Sequence, residues 1–274
     1  MSFRRILPVF LILLLLASAA LAQAPELRGY DKEQKNSYLY VTFGQYPYSK
    51  EGETAPVIWR VLGPGVPGTD DVINAANAPG RKDEKYANID TDIPQDMQDV
   101  YCLMTEYIID VVLYHDKKDV VDGPALDYVD TIIYQSMNNE IIDRLFTAAE
   151  QSVLVEMPER GLLGLPTRKG ELFREDYGFV TEDFVKLARR SATGTPYAFA
   201  QGLKRIKGNS WYWTADWRRY GARWIVGDNG HISVSGSNRE GGIRPVCYIH
   251  AGMLECTGGS GTLEDPYRLS VRSE

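Results

Sequence analysis

Histidine and cysteine are scarce in this chain, three of each among 274 residues. His115, His231 and His250 stand far apart, with no His-x-x-x-His spacing, and no Cys-x-x-Cys pair exists. No ready-made zinc site is therefore written into the sequence, and no cofactor is expected. A Gly-x-Ser-x-Gly elbow and a phosphate-binding glycine loop are also missing, which removes two common signatures of hydrolases and nucleotide enzymes. Positive charge is short as well: 30 Lys and Arg face 37 Asp and Glu, a formal net charge of -7. So acidic a chain is a poor partner for nucleic acid or anionic lipid. Three cysteines allow at most one disulfide, which excludes a disulfide-built scaffold.

Long apolar runs are confined to the start. Arg4 and Arg5 precede an apolar stretch from Ile6 to Leu16, and small residues follow up to Ala20-Leu21-Ala22. This order of parts is that of a signal peptide over residues 1–22, with cleavage expected before Gln23. The apolar core is shorter than the roughly 20 residues a membrane span needs, so no span is expected after cleavage. Losing Arg4 and Arg5 and no acidic residue takes the net charge from -7 to -9. A secreted or periplasmic location, in the cell envelope, is the expectation.

What remains is 44% hydrophobic over the whole chain and long enough for one sizeable core. Residues 23–36 read as an N-terminal linker and 37–250 as a single domain. Ser37 to Phe43 is β-branched and aromatic, and Val57 to Leu62 reads as its antiparallel partner. From Gly63 the pattern is dominated by Gly, Pro, Asn and Asp, so 63–98 reads as a surface insertion. Val100 to Thr105 and Tyr107 to Leu113 resume the apolar runs.

The first clear helix repeats Ile133, Met137, Ile141 and Leu145 on one face. Thr147-Ala-Ala-Glu150 is a capping box that starts a second helix. Thr181 opens another, with Arg189 and Arg190 at its end. Thr195-Pro196 with Gly202 frames a last short one. Beyond it, strands are expected at Trp211 to Thr214, Ala222 to Val226, His231 to Val234 and Gly242 to Ile249, with Asp228-Asn229-Gly230 as a hairpin turn. Residues 251–274 read as a Gly-rich linker and a C-terminal edge strand. The fold class is α+β, with helices in the middle and a meander at the end.

Several segments occur in an order that resembles a widespread family of secreted bacterial domains of unknown function. They are Val41-Thr-Phe-Gly-Gln-Tyr-Pro47, Ile58-Trp-Arg-Val-Leu62, Tyr107-Ile-Ile-Asp110, the helix into Phe146-Thr-Ala-Ala-Glu150, Tyr197 to Gly202, Trp211-Tyr-Trp213 and Gly242-Ile-Arg-Pro-Val246. The last third is similar to the terminal half of C-type-lectin-like domains, including those related to the formylglycine-generating enzyme. That resemblance implies a C-type-lectin-like fold, a small twisted antiparallel sheet whose long loops hold the ligand site. The Glu-Pro-Asn and Gln-Pro-Asp triplets that hold calcium and sugar in C-type lectins are absent, so calcium-dependent sugar binding is not implied. The paired catalytic cysteines of the formylglycine-generating enzyme cannot be placed residue by residue on this sequence, so that activity is not implied either.

Four of the five tryptophans fall between Trp211 and Trp224, among Asp216, Arg218, Arg219, Tyr220 and Arg223. Rigid rings beside Arg and Asp stack on sugars or anchor a protein. Trp211, Trp213 and Trp224 sit at core spacing; Trp217, Arg218, Arg219 and Tyr220 lie between strands, where binding residues gather. Asn238 and Arg239 follow in a second Gly-rich loop. These six residues are the candidate ligand-binding set, with a solvated turn as the plainer reading of each. Arg244, inside an expected central strand, needs an acidic partner from the loops. Cys247 and Cys256 are close enough in sequence to bridge; Cys102 pairing with Cys247, or buried free thiols, are the alternatives. The pattern implies a secreted binding module for a glycan or protein, with no catalytic residue assigned. The alternative is a secreted hydrolase of glycans or cell-wall material, which needs a carboxylate pair 5 to 10 Å apart.

Overall fold

A computed structural model describes residues 38–64, 99–116, 127–168, 171–172, 190–217 and 222–273, together with Leu27. The leader, most of the 63–98 insertion and the helix expected from Thr181 fall outside the described residues; Gly63 and Pro64, placed in that insertion, end a strand instead. No described helix is long and apolar enough to cross a membrane.

The chain is α+β and mostly sheet. β1 (Tyr40–Pro47), β2 (Thr54–Pro64) and β3 (Val100–Thr105) are antiparallel neighbours. β4 (Asp110–Leu113) starts a second sheet, β5 (Leu154–Val155) returns to the first, and β6 (Tyr212–Trp217), β7 (Ala222–Val226), β8 (Ile232–Gly236) and β9 (Glu240–Ile243) extend the second. β10 (Val246–His250), β11 (Leu254–Cys256) and β12 (Tyr267–Val271) finish the first. The seven-stranded order is β11-β12-β1-β2-β3-β10-β5, and the five-stranded order is β4-β9-β6-β7-β8.

Alternation along the strands gives the larger sheet two apolar faces. Val41, Phe43, Trp59, Val61, Leu103 and Cys247 join one core, which Trp213, Ile225 and Ile243 of the second sheet also enter. Cys102, Met104, Val246 and Tyr248 join another on the opposite face. Helix α1 covers the first core. It spans residues 132–145, made of Ile132–Gln135, a π-helical Ser136–Ile141 and Ile142–Leu145. An α-helix turns in 3.6 residues, so side chains repeating every fourth residue drift around it. The π segment, where the Ile142 N–H reaches the Met137 carbonyl, widens the turn and keeps the stripe in line. Ile133, Met137, Ile141 and Leu145 are all buried as a result. Helix α2 (Ala148–Gln151) starts on the expected capping box, the Thr147 hydroxyl accepting from the Glu150 N–H and the Glu150 carboxylate from the Thr147 N–H. Helix α3 (Pro196–Ala200) has Thr195 as its cap and Pro196 in its first turn, as the sequence reads.

Five expectations need correcting. The run from Gly242 to Ile249 is not one strand: β9 and β10 lie in different sheets, joined by Arg244 and Pro245. Proline has no N–H to give a ladder, and the Arg244 side chain turns inward to Glu106, so the chain changes sheet there. The tail is no linker with an edge strand, because β12 lies between β11 and β1, and the edge is β11. Leu27, in the stretch read as a linker, is buried in the first core. The Cys247–Cys256 bridge does not form. β10 and β11 are not neighbours in the sheet, and all three cysteines are free thiols. The Cys102–Cys247 alternative fails too: Leu103 stands opposite Cys247, so Cys102 points to the other face.

Candidate functional site

The β1–β2 hairpin supplies the first wall of a cavity of about 200 Å³. Tyr46, Pro47 and Tyr48 come from the end of β1 and its turn, and Ala55, Pro56, Val57 and Ile58 from β2. Tyr107 and Ile109, on the link from β3 to β4, close one side, and Thr195, the cap of α3, closes another.

The hairpin approaches α1 closely because of Gly44. It sits at φ +69°, a left-handed conformation that glycine adopts without cost. A Cβ there would lie 2.5 Å from the Leu145 carbonyl oxygen and 2.8 Å from the Phe146 ring. Glycine thus serves both the backbone and the packing, and it lets β1 carry Tyr46 past the end of α1.

Tyr46 is almost fully buried, and its hydroxyl donates to Asp110 Oδ2 at 2.5 Å. Arg144, at the end of α1, stacks over the Tyr46 ring at 4.8 Å, donates to the Tyr197 hydroxyl at 3.1 Å and lies 3.8 Å from Asp110. The Tyr197 N–H donates to the Tyr48 carbonyl, which ties α3 to the hairpin turn. One connected group, Tyr46, Asp110, Arg144 and Tyr197, therefore backs the cavity wall and fixes the orientation of its rings. Tyr48, by contrast, is 45% exposed at the mouth.

Burial pushes the Asp110 carboxyl above the ordinary aspartate range; the hydrogen bonds from Tyr46 and the Val111 N–H, and the charge of Arg144, pull it back only in part. Burial and the neighbouring Asp110 charge push the Tyr46 phenol up, so it stays protonated as a donor. A raised carboxyl favours the folded state in its protonated form. The stability it gives is fully present below the unfolded value of about 3.9 and is lost as pH rises through the folded one. Urea unfolding from about pH 4 upward should show the wild type losing stability relative to Asp110→Asn as pH rises through that window. Equal slopes for the two proteins would show that Asp110 ionises as it does in the unfolded chain.

Of the candidate residues read from the sequence, the described ones do not line this cavity. Trp217 is the last residue of β6, opposite Arg223, and not in the connecting loop. The structure describes neither its side chain nor Arg218, Arg219 and Tyr220. Asn238 and Arg239 are exposed on the turn between β8 and β9. On β9, Ile243 pairs with Asp110, so Arg239 lies four residues, roughly 13 Å, away from the cavity end of that strand. Of the other aromatic residues there, Trp213 is core: it is fully buried and its indole N–H donates to the Val112 carbonyl at 3.2 Å. Trp211 lies edge-on to Trp213 above Gly241, where a Cβ would meet the Trp211 ring at 2.2 Å. Arg244 has its expected acidic partner, Glu106, at 3.6 Å.

Sequence reasoning missed the cavity although its residues were in view. Phe43 to Pro47, Ile58, Tyr107 to Asp110 and Tyr197 were all read as marks of the fold. An aromatic residue just past a Gly-containing strand end, as Tyr48 is, was the available signal. Among the described residues no group of three or more His, Cys, Asp or Glu side chains is placed to share a metal ion. The chain matches no family model, no curated protein and no solved structure. The reading of the site therefore rests on its own geometry.

Proposed function

We propose that this chain is a secreted binding module that takes its ligand in the tyrosine-rimmed cavity at the β1–β2 hairpin. The observation that carries the proposal is the cavity itself. It has an apolar floor from Val57, Ile58 and Ile109, tyrosines at its mouth, and walls held by the Asp110–Arg144 group. Rings fixed in this way lose little freedom when a ligand arrives, which is how a small site gains affinity. Tyrosine adds rigid area and a hydroxyl at each contact.

The C-type-lectin-like arrangement is part of the same proposal. It is supported by the smaller, mostly antiparallel second sheet and the turns between its strands. An extracytoplasmic location is supported by the order of parts in residues 1–22.

The test starts from protein recovered outside the cytoplasm, with its N-terminus at Gln23. Immobilised, it should retain a component from envelope glycan or envelope protein fractions. Ala55→Trp, which sets an indole at the cavity opposite Tyr46, should retain none while keeping the wild-type unfolding midpoint within a few degrees. Equal retention by the two proteins would place the ligand elsewhere, and retention by neither would remove the binding function.

A further inference from the structure

We propose that the occupant of this cavity is one large apolar side chain, presented by a basic peptide segment of a partner protein. The inference rests on the binding reading above and names the ligand class of that same site. Size is the first argument. Pockets for whole small molecules run to roughly 300–1,000 Å³. At about 200 Å³ this cavity holds a single ring or branched side chain.

The walls are the second argument. Seven of the ten lining residues are Pro47, Ala55, Pro56, Val57, Ile58, Ile109 and the buried Tyr46, whose hydroxyl is already given to Asp110. The remaining polar groups are the hydroxyls of Tyr48, Tyr107 and Thr195, and the Thr195 oxygen already accepts from the Ala198 N–H. A sugar ring brings hydroxyls all around its edge and leaves them unpaired against such walls, whereas an apolar side chain loses nothing there. Single large side chains seated in tyrosine-lined pockets are also how protein partners concentrate their binding energy.

Charge around the mouth is the third. The turn that follows Tyr48 exposes Glu51 and Glu53 against one Lys50. Exposed Glu264 lies close enough to Tyr107 for its charge, after burial, Glu106 and Tyr48, to help hold that phenol above its ordinary range. Arg144, a cation beside the wall, is already engaged by Asp110 and Tyr197. With a chain charge of -7 behind it, the rim favours Lys and Arg flanking the inserted side chain.

The test uses methyl NMR of the intact chain, reading Val57, Ile58 and Ile109. The probes are three synthetic peptides: Gly-Lys-Phe-Lys-Arg-Gly, its analogue with Ala for Phe, and its analogue with Glu for every Lys and Arg. A mixture of soluble cell-wall oligosaccharides is the fourth probe. The Phe peptide should shift all three methyl sets. The Ala peptide should bind about 10- to 100-fold more weakly, the change expected when one large apolar side chain is withheld. Raising the salt should weaken the Phe peptide, and the Glu peptide should bind more weakly than it does. Ala55→Trp and the exposed-site variant Tyr48→Ala should both lose the shifts; the second guards against a fold lost by the first. Equal binding of the Phe and Ala peptides, or no shift with any peptide, overturns the inference. Shifts with the oligosaccharides alone overturn it too, while leaving the cavity as the binding site. No effect of either variant on the shifts removes the site and the inference together.

Discussion

Trp59→Ala should lower the unfolding free energy by about 3–5 kcal/mol, seen as a shifted urea midpoint at unchanged slope. Trp59 is fully buried in the middle of β2. Its indole N–H donates to the Phe43 carbonyl at 2.7 Å, and its ring stacks on Phe146 at 5.9 Å with 14° between planes. The substitution removes the largest side chain between the larger sheet and the end of α1, and it leaves the Phe43 carbonyl without its indole donor. Against a total stability of roughly 5–15 kcal/mol for a domain of this kind, that is about a fifth or more. Tyr48→Ala, at an exposed position, should cost less than about 1 kcal/mol. If both variants cost the same, Trp59 is not at the centre of the core.

Glu106→Gln should be as damaging, about 3–5 kcal/mol, for an electrostatic reason. Glu106 accepts from Arg60 Nε at 2.8 Å and Arg60 Nη2 at 3.0 Å, and it lies 3.6 Å from Arg244 Nη2. Arg60 and Arg244 are both buried, Arg244 completely. Neutralising the carboxylate leaves two buried guanidinium groups without the negative charge they share, with the Thr105 carbonyl and the Tyr212 hydroxyl still within reach of Arg244. The double variant Glu106→Gln, Arg244→Met should recover much of the loss, since an uncompensated charge costs more than an apolar replacement. Urea midpoints of the two single variants and the double complete the cycle. Additive losses would mean that Glu106 and Arg244 do not share a charge interaction.

Local chemistry was legible in the sequence and long-range order was not. The α1 stripe, the Thr147–Glu150 box, the Thr195-Pro196 start and the Asp228–Gly230 hairpin each depend on residues within a few positions of one another, and each stands where the pattern put it. Gly242 to Ile249 looks like one apolar strand because the reason for its break lies far away, at Glu106 and Thr105. The Cys247–Cys256 expectation failed for the same kind of cause. Nearness in sequence says nothing of strand pairing, and β10 and β11 pair with different neighbours.

The cavity is the clearest case. Its walls come from residues 46–58, 107–109 and 195, brought together by the β1–β2 hairpin, the β3–β4 link and the cap of α3. No window of sequence holds all three. The tryptophan-rich stretch drew attention because its aromatic residues are adjacent, yet Trp213 is spent on the core and Asp216 is half-buried at an irregular step of β6, its carboxylate taken by the Arg168 N–H.

One comparison decides between the two surfaces. The envelope component retained by the wild type is offered side by side to Ala55→Trp and to the double variant Asn238→Ala, Arg239→Ala, and dissociation constants are measured for both. The cavity account predicts at least about a 100-fold loss for Ala55→Trp, equivalent to the whole contribution of one buried anchor, and less than about a twofold change for the double variant. Wild-type affinity in Ala55→Trp, with the loss confined to the Asn238 and Arg239 variant, would contradict it.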